Sequence, residues 1–216
     1  MPRLEIDITV TSISALSVGA GGSAGSLADK SIVRDGWGRP IIPGSQLKGK
    51  LRHAAERLLN SVGQPVPNGF DDPQTNSLIH TLFGAGGGDR APLRFRDLVC
   101  VRTKGIKAEH LSQIRPSVSI NRRRGTAEDA RLFFQEAAHE DLVYRAAPAI
   151  AGELEQLGHA ALLWGALRFT ERWGGGGSRG LGWMESTITL RWDGTEQNET
   201  QLESALRTVL NQKGEA

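Results

Sequence analysis

The stretch WGGGGSRGLGW (residues 173–183) lies between a helical pattern and a strand pattern, and it marks where the last core helix meets the last core strand. Glycine adopts positive φ angles without penalty, so such a run is typical of a tight turn or a ligand-contacting loop. Its peptide N–H groups can surround an anion, and Ser178 and Arg179 add a hydroxyl and a guanidinium. We therefore predict a phosphate-binding loop. The alternative is a flexible linker between two domains, which GGGGS also fits.

Composition places the chain among ordinary globular proteins. It has 216 residues, of which 38% are hydrophobic and 23% charged, and a net charge of +2. The basic residues are mostly arginines in clusters, which suits a polyanionic partner. Cys100 is the single cysteine, so an internal disulfide and a Cys-rich zinc site are excluded. We therefore expect no zinc. No apolar run reaches the length of a membrane helix and MPRLEID lacks a signal-peptide pattern, so we expect a cytoplasmic protein.

Hydrophobic periodicity predicts an alternation of strands and helices. Residues 4–10 alternate as a half-buried strand, and apolar residues at helical spacing follow Ser45, the expected N-cap. A second long helix is predicted over residues 152–172, and 132–136 with 142–145 is interpreted as a hairpin. The other predicted elements are a short helix at 76–83, a strand at 93–101, a strand at 188–192 and a C-terminal helix at 201–210.

This order predicts an α+β fold with a ferredoxin-like (RRM-like) βαββαβ core. We expect one domain over residues 1–216, with loop insertions at about 62–90 and 104–131. The second insertion is expected to hold a hairpin, which the family resemblance given below implies to be a thumb. Antiparallel sheets with helices on one face often bind RNA, although the fold alone decides no function.

Two further basic clusters are candidate phosphate contacts. Ser45, Lys48 and Arg52 share a face near the start of the predicted helix, where free N–H groups and the dipole favour an anion. Residues 122–124 are three consecutive arginines beside a Gly-Thr turn, as at the tip or flank of a hairpin. In both cases the alternative is a solvated charged surface. Residues 44–50 fit GxxxxGK, but Leu51 has no hydroxyl for magnesium, so a nucleoside triphosphatase is not expected.

Four motifs in register resemble the RAMP superfamily of CRISPR–Cas proteins. Residues 39–52, RPIIPGSQLKGKLR, are similar to the family signature (I/V)PGSSLKGxxR. Residues 175–182, GGGSRGLG, are similar to its glycine-rich loop, GGxxSRGxG. Between them, LFG (82–84) with LRFRD (93–97), and the segment 120–133, resemble backbone subunits of type III (Csm and Cmr) effector complexes.

The resemblance implies a subunit that stacks as a filament along a CRISPR guide RNA and presents the guide to a complementary target RNA. The thumb would wedge into the guide–target duplex. The expected partners are guide RNA, target RNA, further copies of the chain and other type III subunits, with no membrane. The residues assigned to RNA binding are Ser45, Lys48, Lys50, Arg52, Arg122, Arg123, Arg124, Gly176, Gly177, Ser178, Arg179 and Gly180.

The resemblance also implies endoribonuclease activity. Taken alone, Asp29 is a loop aspartate of the kind that forms turns. In the family pattern, however, the segment ADKSIVRD (28–35) puts Asp29 at the catalytic position for target-RNA cleavage, while Asp35 is expected to be structural. Asp29 would accept the 2′-hydroxyl proton or hold a divalent metal, magnesium being the expected ion. One carboxylate is a poor metal site, so such an ion would depend on phosphates and water.

Two alternatives remain at this stage. The chain could be a non-catalytic backbone or capping subunit that only binds RNA and assembles. It could also be a RAMP endonuclease that processes precursor RNA, which commonly uses a histidine base. No histidine lies in the loops described above, and the LKGxxR helix favours a backbone subunit.

Overall fold

The computed structural model describes residues 1–20, 29–64, 66, 77–85, 91–101, 107 and 110–211. These residues form two antiparallel sheets and several helices, so the predicted α+β class is confirmed. The strands are β1 (Arg3–Ser12), β2 (Ile41–Ile42), β3 (Leu93–Phe95), β4 (Leu98–Cys100), β5 (Ser112–Asn121), β6 (Thr126–Ala138), β7 (Val143–Glu153), β8 (Met184–Trp192) and β9 (Thr195–Glu196). The helices are α1 (Gly44–Ser61), α2 (Leu78–Phe83), α3 (Leu157–Phe169) and α4 (Glu199–Asn211).

We call the larger sheet and the helices α1, α3 and α4 the palm. The sheet is centred on β1. Its order is β2-β4-β7-β1-β8-β9, with β3 pairing β7 at one side. Strand β1 is antiparallel to both neighbours, so that Ile6 lies opposite Ile150 of β7 and Leu190 of β8. The narrower prediction of a ferredoxin-like arrangement, and the prediction of a single domain, stay predictions.

The core lies between the palm sheet and its helices. Alternate residues of β1, from Leu4 to Val10, are fully buried, as the period-two pattern predicts. Helix α3 is buried along most of its length because it packs against both α1 and α4. A Cβ at Gly158 would lie 2.4 Å from Val209 Cγ2, and one at Gly165 would lie 2.8 Å from Leu206 Cδ2, so these glycines allow the close approach of α4.

Two predicted helix starts are wrong. Residues 152–153 belong to β7, where Gly152 pairs with Leu4, and α3 begins only at Leu157. A side chain at position 152 would collide with the carbonyl of Pro92 at 2.3 Å, so strand pairing fixes this glycine. Helix α1 begins at Gly44 with Pro43 as N-cap and no side-chain cap, so Ser45 is not the cap.

The second sheet is a hairpin of β5 and β6, which we call the thumb. It occupies residues 112–138 and therefore extends beyond the predicted bounds of 104–131. The predicted hairpin of 132–136 with 142–145 is wrong, because 132–136 pair with β5, while 143–145 pair with β1. The predicted strand at 93–101 is divided into β3 and β4.

The thumb projects from the palm and carries few buried side chains. None of β5 is buried, and β6 becomes buried only from Gln135 onward. Ile120 and Leu132 are 63% and 59% exposed. Among the helices of the described residues, none has the length and apolarity that a membrane crossing requires.

The loop between β1 and β2 contacts the base of the thumb through two isolated bridges, Leu16 with Ala138 and Lys30 with Gln135. A third bridge, Gly19 with Ile32, joins two parts of the loop itself. Residues 21–28, including Ala28 of the ADKSIVRD motif, lie outside the described residues, as do 67–76 and 86–90 of the predicted insertion and 102–106 and 108–109 before the thumb.

Candidate nucleic-acid interface

The glycine-rich loop is closed on itself and packed against the palm. The N–H of Trp173 donates to the carbonyl of Gly182 at 2.8 Å, and the N–H of Gly175 donates to the carbonyl of Ser17 at 2.8 Å. Gly182 has φ +84°, and a Cβ there would lie 1.9 Å from the carbonyl oxygen of Trp173. Trp173 itself is 1% exposed. These contacts exclude the flexible-linker alternative and explain the glycine at position 182.

The loop ends in a 3-10 turn over Gly177–Arg179, between left-handed Gly176 and Gly180. Within the turn, the N–H of Arg179 donates to the carbonyl of Gly176 at 2.8 Å and that of Gly180 to the carbonyl of Gly177 at 3.1 Å. In the described part of the chain, the N–H groups of Gly176, Gly177 and Ser178 have no hydrogen-bond acceptor. These donors and the side chains of Ser178 and Arg179 are the groups that the turn offers to a ligand, and the anion nest stays a prediction.

Arg179 joins this loop to the base of the thumb. Its guanidinium carbon lies 4.8 Å from the ring centroid of Phe133, and Nη1 donates to Oε1 of Gln135 at 3.0 Å. Gln135 is buried and donates to Oγ of Ser17 at 2.9 Å. The glycine-rich loop, the thumb and the segment that follows β1 thus meet in one chain of polar contacts.

Asp29 is fixed on the thumb strand β6 by two hydrogen bonds. Its N–H donates to the carbonyl of Phe134 at 2.9 Å, and its Oδ2 accepts from the N–H of Phe134 at 2.8 Å. The residue is exposed. This main-chain pairing orients the carboxylate while leaving it accessible to a ligand.

A cavity of about 380 Å³ brings Asp29 together with basic side chains. Lys30, Arg131 and Arg179 line it together with Asp29, and Ser119 adds a hydroxyl. The three cations favour binding of a polyanion. The carboxylate among them could accept a proton from a hydroxyl group of that ligand. The structure thus places the predicted catalytic residue and one predicted RNA-binding residue, Arg179, in the same cavity.

A network around Glu136 holds the loop of Asp29 against the thumb. Glu136 Oε1 accepts from Arg34 Nη2 and from Ser112 Oγ, each at 2.6 Å, and Oε2 accepts from the N–H of Ile32 at 3.0 Å. Burial by itself raises the pKa of Glu136, but these hydrogen bonds and the Arg34 charge outweigh it and hold the pKa below its ordinary value. Arg34 therefore has a structural partner.

Asp35 closes the turn before β2, as expected for a structural residue. Its Oδ1 accepts from the N–H groups of Trp37 at 3.0 Å and Arg39 at 2.8 Å, and its Oδ2 pairs with the Arg39 guanidinium. Burial alone raises the pKa of Asp35. The hydrogen bonds from Arg39 and Trp37 and the charge of Arg39 outweigh burial, so the pKa lies below its ordinary value.

The residues of the predicted basic face of α1 differ in their contacts, since Arg52 bonds to other protein groups while Ser45 is exposed. The N–H of Gly44 donates to Oδ1 of Asp97 at 2.8 Å, so the first donor of the helix already has an anionic partner. Arg52 donates to Glu56 at 2.9 Å and to the carbonyl of Gly84 at 3.3 Å. Ser45 is exposed and Lys48 is half-buried. Lys50 lies on a different flank of the helix and lines a second cavity, described below.

Arg122, Arg123 and Arg124 lie at the tip of the thumb, where β5 ends at Asn121 and β6 begins at Thr126. Oδ1 of Asn121 accepts from the N–H groups of Arg123 and Arg124, each at 3.0 Å. The tip is nine residues from Phe134 along β6, which corresponds to about 30 Å. The structure therefore confirms the hairpin tip but does not bring these arginines to Asp29.

Several residues of this interface were not found from the sequence. Arg131 and Phe133 lie in the segment 120–133 that carries the family resemblance but were not assigned to RNA binding, and Gln135 lies just beyond that segment. Their proximity to Asp29 depends on contacts between residues about a hundred positions apart. The alternation of 131, 133 and 135 on one face of β6 was the available signal.

The donors near Asp29 do not form a protein-built metal site. Within the described residues, no group of three or more His, Cys, Asp or Glu side chains is arranged to hold a metal ion. The cavity offers one carboxylate, with Oδ2 already accepting a hydrogen bond, and otherwise a hydroxyl and three cations. Magnesium prefers several oxygen ligands and retains water, so these residues alone do not fit a resident ion.

Comparison with known proteins agrees with the motifs. The family model described as "RAMPs: RAMP superfamily" matches residues 9–185, which include the end of β1, the Asp29 loop, α1, the thumb and the glycine-rich loop. The chain belongs to the RAMP superfamily. This membership confirms the resemblance found in the sequence.

One curated relative is the protein of Mycobacterium tuberculosis named "CRISPR system Cms endoribonuclease Csm3". It is 45% identical over 86 residues, which cover 38% of this chain and 35% of that protein. The match thus spans about a third of the length of that relative.

Proposed function

We propose that this RAMP protein is a backbone subunit of a type III CRISPR effector complex, which binds guide RNA and cleaves complementary target RNA at Asp29. Family membership and the partial similarity to a protein named a CRISPR endoribonuclease support the first half. The second half depends on one observation: the carboxylate of Asp29 is held by Phe134 in a cavity with Arg179. The proposal includes action in the cytoplasm with further copies of the chain and other subunits.

The chemistry is an in-line displacement within the target RNA. The 2′-hydroxyl gives its proton to the Asp29 carboxylate, and O2′ forms a bond to the adjacent phosphorus. The P–O5′ bond breaks, and the leaving oxygen takes a proton from water, so the products are a 2′,3′-cyclic phosphate and a 5′-hydroxyl. Arg179 and Lys30 stabilise negative charge on the phosphoryl oxygens, provided the strand lies in the cavity.

The base of the thumb supports the required geometry. In-line attack needs a splayed backbone, since the 2′-oxygen, phosphorus and 5′-oxygen are not aligned in a regular duplex. Phe133 and Leu132 line the cavity beside Asp29, and Leu132 is 59% exposed. We infer that these apolar side chains displace a base pair at the position where Asp29 acts.

The decisive experiment compares Asp29→Ala, Asp29→Asn and wild type in the complex assembled with guide RNA. Asparagine keeps an oxygen that can accept the N–H of Phe134 but cannot take a proton. We expect both variants to bind complementary RNA normally and to cleave it at least about 100-fold more slowly. Asp193→Asn, in an exposed turn after β8, is the matched control and should cleave at the wild-type rate.

A non-catalytic backbone role is the second candidate, and the same hydrogen bond favours it. Oδ2 of Asp29 bonded to the N–H of Phe134 is also what a purely structural anchor would show. Under that alternative, the cleavage activity of Asp29→Asn equals that of wild type, whether or not wild type cleaves, and Asp29→Ala weakens RNA binding. A target with a 2′-deoxy sugar at the cleavage position provides a further check, since our proposal requires that it binds but stays intact.

Magnesium is part of the proposal as an ion recruited by the RNA–protein complex. When bound, it would stabilise charge on the phosphate, with Asp29 as the single protein carboxylate available to it. The cleavage rate should therefore rise with magnesium concentration without saturating at low levels, and EDTA should abolish cleavage. Cleavage that persists in EDTA would leave Asp29 acting as a base alone.

A further inference from the structure

A second cavity lies between α1 and the junction of α3 with the glycine-rich loop. Its volume is about 460 Å³, within the range of ordinary small-ligand sites. Lys50, His53 and Arg57 line it from one flank of α1, because residues three and four apart share a helix face. Arg172 and Trp183 line it from the two ends of the loop, where they pair as an isolated bridge.

Two arginines of this cavity are oriented by aromatic rings. The guanidinium carbon of Arg172 lies 3.9 Å from the ring centroid of Trp183, and that of Arg57 lies 4.8 Å from the centroid of Phe169. A guanidinium stacked on a ring keeps its N–H donors at the edge, where they can bind a phosphate. Because the rings fix the side chains in advance, binding costs less conformational entropy.

The pairing of these arginines differs from that of the structural arginines. Arg34, Arg39 and Arg52 each have a carboxylate partner within 3.0 Å. In the described part of the chain, neither Arg57 nor Arg172 forms an ion pair, although Glu171 also lines the cavity. With Glu171 counted, Lys50, Arg57 and Arg172 thus leave the described lining of the cavity with a net positive charge.

The cavity is connected to the Asp29 site through the loop. Nη1 of Arg172 donates to the carbonyl of Gly177 at 3.1 Å, in the same 3-10 turn that carries Arg179. Arg179 in turn lines the cavity of Asp29. One strand of RNA that crosses the turn would therefore meet guanidinium groups on both sides of it.

We propose that this cavity, lined by Lys50, Arg57, Arg172, Phe169 and Trp183, binds one nucleotide of single-stranded RNA. The phosphate contacts Lys50 and the edges of the two guanidinium groups. The unstacked base lies on the outer face of a guanidinium, so that ring, guanidinium and base form a stack. The stacked platforms favour RNA over an acidic peptide, which would use the charges but not the rings. This inference rests on the proposed RNA-binding function and extends it.

The test measures binding of a fluorescein-labelled, single-stranded uridine RNA of about 12 nucleotides to the full chain by anisotropy at several salt concentrations. We expect Arg57→Gln/Arg172→Gln to weaken binding at least about 10-fold and to reduce the slope of log K against log salt by up to about 0.7, the value for one phosphate. Trp183→Leu should weaken binding at least about 5-fold, because stacking is lost.

Arg168→Gln is the matched control, because Arg168 also stacks on a ring, that of Trp164 at 5.4 Å, but pairs with Glu199 outside the cavity. It should bind RNA as wild type does. Arg57→Gln alone leaves the loop untouched and keeps the test valid if the double variant unfolds. In a separate arm, RNA containing 4-thiouridine should cross-link to the peptides that carry Phe169 or Trp183.

The outcomes separate this inference from the proposed function. If wild type binds the RNA and the cavity variants bind equally well with the same salt slope, the cavity inference is wrong and the proposed function stands. If those variants bind RNA normally but fail to assemble with other subunits, the cavity is a protein contact and the inference is again wrong. If the chain and its complex bind no RNA, the proposed function itself fails.

Discussion

In the palm, β1 buries every second side chain from Leu4 to Val10, whereas in the thumb β5 buries none and β6 buries side chains only near its base. Both regions consist of antiparallel strands. The palm is stabilised by packing along the whole length of its strands, while a two-stranded hairpin without a core is marginal on its own. The thumb therefore depends on its base, where Gln135, Ala137 and Ala138 are buried. Substitutions in the two regions should differ in size accordingly.

The largest loss of stability should come from Gly182→Ala, in the glycine-rich loop that packs against the palm. A Cβ at this position would lie 1.9 Å from the carbonyl of Trp173, and φ is +84°. We expect the free energy of unfolding to fall by more than about 3 kcal/mol, measured by urea titration. Gly180→Ala is the control, since φ is +78° but no atom lies within 4 Å, and it should cost about 1–2 kcal/mol. Equal losses would mean that the loop can shift away from Trp173.

Glu136→Gln should have the next largest effect, at the joint between thumb and palm. It removes the charged partner of Arg34, whose side chain is 25% exposed, and one of the contacts to Ile32 or Ser112. We expect a loss of about 1–3 kcal/mol together with faster hydrogen exchange at the base of β6. Unchanged exchange there would show that the thumb is held by its other contacts.

The same carboxylate predicts a dependence of stability on pH. The pKa of Glu136 in the folded protein lies below its ordinary value of 4.5, so the ionised form stabilises the folded state. This contribution is complete above the unfolded pKa and is lost as pH falls through the folded pKa. The difference in unfolding free energy between wild type and Glu136→Gln should be constant above about pH 5.5 and shrink below about pH 4.5. Asp35, also with a lowered pKa, is common to both proteins and cancels.

The smallest loss of stability should come from Ile120→Thr, in β5 near the tip of the thumb. Ile120 is 63% exposed, so the unfolding free energy should change by less than about 0.5 kcal/mol. The same substitution at Ile8, which is fully buried in β1, should cost more than about 2 kcal/mol, because it leaves a cavity and buries a hydroxyl. Similar losses at the two positions would mean that the thumb is packed as the palm is.

The contrast between palm and thumb also explains which predictions succeeded. Alternation predicted β1 because one face of that strand is buried, and helical spacing predicted α1 and the body of α3. In the thumb both faces are exposed, so burial leaves no periodic pattern, and both the bounds of the hairpin and the partner of residues 132–136 were wrong. The start of α3 was wrong because strand pairing with β1 claims Gly152 and Glu153.

The candidate site was predicted in its motifs but not in its geometry. Asp29 and Arg179 each lie in a motif, yet their shared cavity depends on Phe133 and Gln135 of the thumb. The predicted cap at Ser45 is wrong because α1 begins at Gly44, and the N–H of Gly44 donates to Asp97, 53 residues further along the chain. Such contacts follow from the folded topology and have no local sequence signal.

The length of the thumb relative to its narrow attachment makes it a lever. The pivot is the network of Glu136 with Arg34 and Ser112, and the arginine-bearing tip lies about 36 Å away along β6. A rotation of about 5° at the pivot would move the tip by about 3 Å, the length of a hydrogen bond. Small adjustments among three side chains at the base are thus amplified into displacements of this size at the tip.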